Sequence, residues 1–522
     1  MRWLTVIAPV VVGAPLGACG SDGAPAAKTG AVALDLERPH GALDPDGFTT
    51  VDVVIHAANK DVELTAAVDH GAFSLGTIDR LADVTLEATL RNDSGAAVGY
   101  GRTAIATTIG DAGATFSVPV RRPIVYIAGA VSRDDDDNVK TPLVWSEAPA
   151  TFSDLTTGAP LDGKSVLATP IVMTASAGPN LYAITQAIDA GTGALTGPAQ
   201  VVPVSTADHA LQPALPAAIT GAVLDAAGSD DGKALVIGTT SELVAIDTAS
   251  GQATPLATGS FARVAIVIGA GGEVDAVAVR NRGQTAGPCQ ASAELWWAPL
   301  AGGAKAVATG GFSDVAGDRG RAYYVDACTR EVGAVDAAGP HVIRSLAALG
   351  SANAEATAVA VSNGQAFVGL EDPPATTALA VASLATMDPP RVLWSETAQQ
   401  VVQAVGLTGV QRLLDASAVS LDHLELGAGG DYVALSTSAH FHGDPVIEAN
   451  FPDITMDTEE LRVFDAATGG AVQRYRSWCE GVIVSVSGDI RDWQCAAIPG
   501  QTTPASGMDH HIASLSFLYG KK

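Results

Sequence analysis

A lone glycine between two short apolar runs recurs along the last four-fifths of this chain, and it restricts the fold more than any other feature. The glycines are Gly178, Gly232, Gly272, Gly320, Gly364, Gly430 and Gly488. Ser362-Asn363-Gly364, for example, stands between TAVAV and QAFVGL, and Gly429-Gly430 between LEL and DYVAL. A two-residue hairpin needs positive φ, which glycine adopts without steric cost, so each glycine marks one hairpin. A second turn follows: Asp189-x-x-Thr192-Gly193, Asp247-x-x-Ser250-Gly251 and Asp465-x-x-Thr468-Gly469, with a shortened copy at Asp336-Ala337-Ala338-Gly339. In three of these four the Asp lies 11 to 16 residues after the hairpin glycine. Its carboxylate can accept backbone N–H bonds while the glycine takes the left-handed position. Two turns at a near-constant offset, repeating about every 40–60 residues, imply units of about four strands, the size of a β-propeller blade. The fold expected for residues 121–522 is therefore a β-propeller of about seven four-stranded blades, with six or eight as neighbouring solutions. Pairing residues 512–518 with 124–128 would close the ring and remove its free edges.

Residues 31–120 carry a different rhythm. Val51, Val53, Ile55 and Ala57 alternate with Asp52, Val54 and His56, and Val84, Leu86, Ala88 and Leu90 alternate with Thr85, Glu87, Thr89 and Arg91. Asn92-Asp93-Ser94-Gly95 supplies a turn. Period-two alternation needs one buried and one wet sheet face, so a small antiparallel β-sandwich is expected. The whole chain is thus read as all-β. The sandwich is similar to the immunoglobulin-like or carboxypeptidase-regulatory-like modules near the start of many bacterial surface proteins. The strand–D-x-x-[ST]-G–strand copies resemble those of quinoprotein-like and YVTN-like repeat propellers, over roughly 400 residues. One repeat departs from the pattern: Asp465 follows Gly430 by 35 residues. This predicts an inserted loop at about 440–460, where a propeller would carry specificity.

The first eighteen residues have Arg2, an apolar stretch from Trp3 to Leu16, and the small pair Gly17-Ala18. That is the layout of a secretory signal. Leu16-Gly17-Ala18-Cys19 resembles the lipobox of bacterial lipoproteins, which implies acylation of Cys19 and an extracytoplasmic, lipid-anchored mature chain. Gly20 rather than Asp after the cysteine points, within that resemblance, to the outer membrane of a double-membraned cell, on its periplasmic or surface face. Residues 19–30 (CGSDGAPAAKTG) then read as a flexible tether, with a reach on the order of 15–20 Å. No later stretch attains the roughly 20 apolar residues of a membrane helix.

Export also frames the cysteines. With Cys19 assigned to lipid, Cys289, Cys328, Cys479 and Cys495 remain, an even number for an oxidising compartment. Near-neighbour pairing, Cys289–Cys328 and Cys479–Cys495, is the favoured of three connectivities. Loop closure would contribute about 4 and about 3 kcal/mol. The formal charge of −27 repels phosphate backbones and argues against nucleic-acid partners.

Several motifs carry potential chemistry. Gly158-x-x-x-x-Gly163-Lys164-Ser165 matches a phosphate-binding loop in letters, but Pro160 interrupts it and VLATPIVMTASAGP reads as a strand where a helix is required. Nucleotide binding is not expected. Asp134, Asp136 and Asn138 alternate as calcium ligands would, yet Val139 and Trp145 replace the glycine and glutamate that such a loop needs. Asp509-His510-His511 has no partner named by spacing, and Trp296-Trp297 reads as core plus rim. The densest set of metal-ligating residues is His440, His442, Asp444 and Glu448, followed by Asp453, Asp457, Glu459 and Glu460. His-x-His puts two imidazoles on one side of a strand, close enough to share a divalent cation such as Ca²⁺ or Zn²⁺. Otherwise the acidic stretch is a solvated loop.

Neither a Gly-x-Ser-x-Gly elbow nor a His-Glu-x-x-His motif occurs. The expected role is non-enzymatic binding or scaffolding of an envelope protein or extracellular ligand on a propeller face. A metal-dependent propeller enzyme, a hydrolase or a quinoprotein-like oxidoreductase, is the alternative. A third is an outer-membrane protein assembly factor, resembling the propeller lipoprotein of the barrel-assembly machinery.

Overall fold

The computed structural model describes residues 29–520 apart from 39–43, 46, 58–59, 70–71, 74–77, 104–105, 111–112, 135–139, 144–149, 155–170, 190–193, 206–210, 270–271, 282–291, 319, 348, 350–353, 372–378, 385–390, 398–399, 401–409, 446–452, 484–489 and 497–507. Among the described residues the named elements are β-strands and a 3-10 turn at Ala428–Gly430, and Gln400 is helical. Two compact units meet between Pro123 and Ile124.

In the first unit, Val32–Glu37 pairs in parallel with Ala114–Arg121. Ala97–Arg102, Leu81–Arg91, Thr50–Ala57 and Lys60–Asp69 continue the pairing in antiparallel order. The alternation read from the sequence decides what is inside: Val51, Val53, Ile55, Leu86, Ala88 and Leu90 are fully buried, with Val32, Leu34, Phe116 and Val118 against them. On the other side of the same strands His56 is also buried, its Nδ1 2.9 Å from Asp61 and its Nε2 3.3 Å from Glu87. Arg102 pairs with Glu87 at 2.9 Å.

The second unit is a β-propeller built of successive meanders. Residues 223–258, 261–310, 312–345 and 355–396 each form a four-stranded antiparallel sheet in chain order. A three-stranded sheet precedes them (Ile171–Ala177, Asn180–Ile188, Leu195–Val204), and a five-stranded one follows over 410–496. The first strands of these sheets lie side by side in sequence, Ile171–Ala177 against Val223–Gly228 and so on round to Val410–Gly427. Met508–Phe517 lies between Val410–Gly427 and Ile171–Ala177 and pairs antiparallel with Ile124–Asp134, from Val125 opposite Phe517 to Arg133 opposite Met508. The tail thus closes the ring with the pairing the sequence suggests.

The turn chemistry is as the repeats require. Gly178, Gly232, Gly272, Gly320, Gly364 and Gly430 have φ between +52° and +101°, each joining a first strand to a second. Gly488 lies outside the described residues. The Oδ1 of Asp247 accepts bonds from the Ser250 N–H and hydroxyl, both 2.7 Å, and Asp465 repeats this with Thr468 at 2.7 and 2.8 Å. Asp336 accepts from Ala338 N–H at 2.7 Å and Gly339 N–H at 3.2 Å. These three turns join third to fourth strands, whereas Asp189 closes the second strand of its sheet. The 11-residue offset there spans one long strand instead of two short ones, which spacing alone does not distinguish.

The hydrogen bonds from Ser250 to Asp247, and those from the Ala338 and Gly339 N–H groups to Asp336, hold both carboxyls below their ordinary value of 3.8. A carboxyl whose folded pKa is depressed stabilises the fold above its unfolded pKa, and that contribution fades as pH falls through 3.8 toward the folded value. Asp247→Asn/Asp336→Asn keeps an acceptor but cannot titrate. Between pH 5 and pH 3 it is expected to lose less of its denaturant midpoint than the native chain does. Equal losses would remove these turns from the acid response.

Candidate functional site

Strands of a meander alternate in direction, so first–second and third–fourth connections leave the propeller by one face, and second–third and sheet-to-sheet connections by the other. All the glycine hairpins above, and the turns at Asp247, Asp336 and Asp465, belong to the first face. Its connections are short, the longest being the six residues 385–390. The second face carries the long connections at 205–222, 346–354, 372–378 and 397–409, and the 327–330 turn with Cys328.

The 410–496 blade rises from this second face. The stretch expected as an inserted loop at 440–460 is mostly strand: Tyr432–Pro445 and Asp453–Asp465 run as one long antiparallel pair, joined by 446–452. Val410–Gly427 and Ala471–Ile483 are lengthened to match. Ile490–Ala496 is present only in this extension, pairing with residues 478–483. The insertion therefore lengthens the strands and adds a fifth one, because its backbone groups find ladder partners on both sides. At about 3.3 Å per residue, seven extra residues per strand project roughly 20 Å. Ala471–Ile483 and Ile490–Ala496 lie against Met508–Phe517, so the extension abuts the closing sheet.

The register locates the expected ligands. His440 stands opposite Ala418 on one neighbouring strand and Asp457 on the other, and His442 opposite Asp415 and Thr455. Asp444 stands opposite Arg412, and Glu448 lies outside the described residues. Cys479 is opposite Cys495. Cys328 is disulfide-bonded, and its N–H donates to Asp326 Oδ1 at 2.8 Å. Cys19, Cys289 and residues 158–165 lie outside the described residues, as do 135–138 beyond Asp134. Trp297 is buried and donates to Asp275 at 2.9 Å; Trp296 packs edge-on to Phe261 with Arg280 over its ring. Core plus rim describes the pair.

At the axis, the first strands enclose a cavity of about 130 Å³. Three of its acidic side chains serve as latches between neighbouring first strands. Asp225 accepts from Val264 N–H at 2.8 Å, Asp314 from Val359 N–H at 3.0 Å, and Glu425 from Phe517 N–H at 2.8 Å. Arg263 Nε lies 3.4 Å from Asp314. A carboxylate bonded to a main-chain N–H is a strong, charge-assisted link, so the cavity wall is built for ring integrity. The sequence holds a signal for these positions: an acid as the third residue of a largely apolar first strand, Asp225 in VLDAAG and Asp314 in FSDVAGD. Among the described residues, no group of three or more His, Cys, Asp or Glu is placed to hold a metal. The same residues include no helix long and apolar enough to cross a membrane.

No known family model and no curated protein sequence matches this chain. Among solved structures it is similar to the WD40 repeats of RRP9, at 14% identity and TM-score 0.35, covering 53% of this chain and 78% of that one. It is similar also to an oligogalacturonate lyase in complex with manganese, at 10% identity and TM-score 0.33, covering 66% and 84%. A putative TolB from Agrobacterium tumefaciens gives 9% identity and TM-score 0.28, covering 50% and 84%. At such scores nothing of their activities passes to this chain, and the propeller assignment rests on its own sheets.

Proposed function

We propose that this is a lipid-anchored protein of the bacterial cell envelope. In this reading an immunoglobulin-like sandwich carries a seven-bladed propeller, which binds an envelope protein or extracellular ligand without catalysing a reaction. The observation that carries the binding role is the inequality of the two propeller faces. Among the described residues one carries only short turns, many of them built on glycine and aspartate, while the other gathers the longer connections and the roughly 20 Å sheet extension. Long connections on a rigid scaffold are where recognition is placed. Seven first strands in cyclic order support the blade count. The tail strand lies between the last and the first of the others, so the cyclic order is closed.

The envelope location follows from Leu16-Gly17-Ala18-Cys19, and the cysteine pairing follows with it. Cys328 is already bonded, Cys479 and Cys495 share a rung, and Cys289–Cys328 completes the set. Both bridges would brace the connection-bearing face.

Two variants test the reading. Cys19→Ser is expected to abolish incorporation of radiolabelled palmitate and release the protein from envelopes. Replacing residues 439–459 by a short Asn-Gly turn is expected to remove specific partners cross-linked in detergent-solubilised envelopes, with the propeller still folded by circular dichroism. An unchanged set of cross-linked partners would clear the extension of that role.

A further inference from the structure

Asn363-Gly364 is the one Asn-Gly pair in the sequence. It forms the hairpin between Glu355–Ser362 and Gln365–Glu371, with φ of +53° at Asn363 and +73° at Gly364. A two-residue turn with positive φ at both central positions favours Asn followed by Gly. The same pair carries a chemical liability. Glycine has no Cβ to shield its backbone nitrogen, and that nitrogen can close a five-membered ring on the carboxamide carbon of the preceding asparagine. Nothing lies within 4 Å of the place a Cβ on Gly364 would occupy, and Asn363 is exposed to water.

Both reacting groups are held by other blades. Gly364 N–H donates to Asp318 Oδ2 at 2.7 Å, and Asp318, 7% exposed, ends the first strand of the preceding blade. Asn363 Nδ2 donates to the Gly429 carbonyl at 3.0 Å, in the corresponding turn of the following blade. A Cβ on Gly430 would lie 3.1 Å from the Ser362 side chain, so the two hairpins are in contact. Cyclisation must strip the proton from the Gly364 nitrogen, and the resulting negative charge would face a buried carboxylate through a medium of low dielectric. It must also turn the Asn363 side chain away from Gly429. Each bond opposes the reaction while the three blades stay together.

We propose that Asn363 is a site of spontaneous deamidation that the closed propeller suppresses, and that its modification records opening of the seam between these blades. The Gly364 nitrogen, its proton passed to hydroxide, bonds to Asn363 Cγ. The Cγ–Nδ2 bond breaks, and Nδ2 leaves as ammonia with a proton from water. Water then adds to either carbonyl of the ring and gives aspartate or isoaspartate, so one water is consumed, one ammonia is released and nothing is oxidised or reduced. Neither product restores the contact. Aspartate sets an acceptor-only carboxylate against the Gly429 carbonyl. Isoaspartate adds a methylene to the backbone of a loop whose length fixes the strand register. The change is one-way, because the donor that docked the hairpin has left as ammonia. The proposal is independent of partner binding and concerns the opposite face of the propeller.

The test follows residue 363 of the full chain by peptide mass spectrometry, with chromatographic separation of the isoaspartyl peptide, during incubation at mildly alkaline pH. The native chain is expected to react at least about tenfold more slowly than the same chain unfolded in urea, because only the fraction with this hairpin open can cyclise. In urea, Gly364→Ala should slow the reaction, since a methyl group then crowds the nitrogen. Asp318→Asn keeps an acceptor for the Gly364 N–H but removes the charge, and should react about threefold or more faster than the native chain in the folded state. Amide hydrogen exchange gives a reading that needs no variant: the Gly364 N–H of the native chain should exchange at least about tenfold more slowly than in urea. Equal rates of deamidation in native and unfolded chains, no reaction at residue 363 in urea, or unprotected exchange at Gly364 would each overturn the proposal. So would an unchanged or slower reaction in folded Asp318→Asn, the slower one making that carboxylate the base for cyclisation and not its guard.

Discussion

A chain ending at Gly507 is expected to lose cooperative unfolding and to aggregate on purification, although it lacks only fifteen of 522 residues. The missing strand is the inner member of the closing sheet. Phe517 is fully buried, Leu515 and Tyr519 are nearly so, and Phe517 packs so closely on Gly427 that a Cβ there would lie 2.4 Å from the ring. Polar links run to both neighbours: Thr174 N–H donates to Ser514 at 2.8 Å, Phe517 N–H to Glu425 at 2.8 Å, and Tyr519 N–H to Gly178 at 3.0 Å. Without the strand, Ile124–Asp134 loses its inner partner and the two flanking first strands lose their neighbour. Phe517→Ala alone should cost about 3–5 kcal/mol, as for a large core truncation. The strand pairs with residues about 390 positions away, so closing the ring costs roughly 5 kcal/mol of chain entropy, and closure should be a late step in folding. Supplying residues 508–522 as a separate peptide is expected to restore near-ultraviolet circular dichroism and a single unfolding transition. A truncated chain with an unchanged urea midpoint would show that the propeller closes by other means.

That closure was legible in the sequence because both partners are short apolar runs at the ends of a repeat array, and an open array leaves two edges to satisfy. The hairpins were legible for a similar reason. Positive φ is demanded at Gly232, Gly272 or Gly364 by the turn itself, independent of what packs around it. The first unit's core could be read from Val51, Val53 and Ile55 since alternation encodes a two-faced sheet directly. Other features depended on contacts between distant residues, which local pattern does not encode. The stretch 440–460 looks like a loop because it is rich in Asp, Glu, Gly and Pro, residues poor in strands. It is largely extended because each rung finds partners on both sides, from Val410–Gly427 and Ala471–Ile483. Asp225, Asp314 and Glu425 show the same limit. The acids are visible in the sequence of their first strands, but the neighbour's N–H that each one holds is not.

Arg462→Ala is expected to destabilise the propeller by about 3–5 kcal/mol, the usual consequence of stranding buried charges by removing their counter-ion. Arg462 is 8% exposed, Glu396 7% and Glu460 2%. The guanidinium lies 2.8 Å from Glu396 and 2.5 Å from Glu460, and 4.5 Å above the Trp394 ring. Glu396 and Trp394 sit on Arg391–Glu396, the outer strand of one blade, while Arg462 and Glu460 belong to the next blade's Asp453–Asp465. The cluster is therefore a seam between blades, reinforced by Arg391 donating to the Ala466 and Ala467 carbonyls at 3.1 and 2.9 Å. Two buried carboxylates facing one cation keep a net negative charge when paired and a larger one when the arginine is lost. The triple variant Arg462→Met, Glu396→Gln, Glu460→Gln removes the charges together, and is expected to recover most of the lost stability, since apolar replacement of a buried ion cluster is often neutral or stabilising. Urea unfolding of the single, double and triple variants separates coupling from simple truncation. If Arg462→Ala shifts the midpoint no more than an exposed arginine such as Arg321→Ala does, the seam contributes nothing that solvent cannot replace. If the triple variant is as unstable as the single one, the geometry of the guanidinium over Trp394, and not charge balance, holds these blades together.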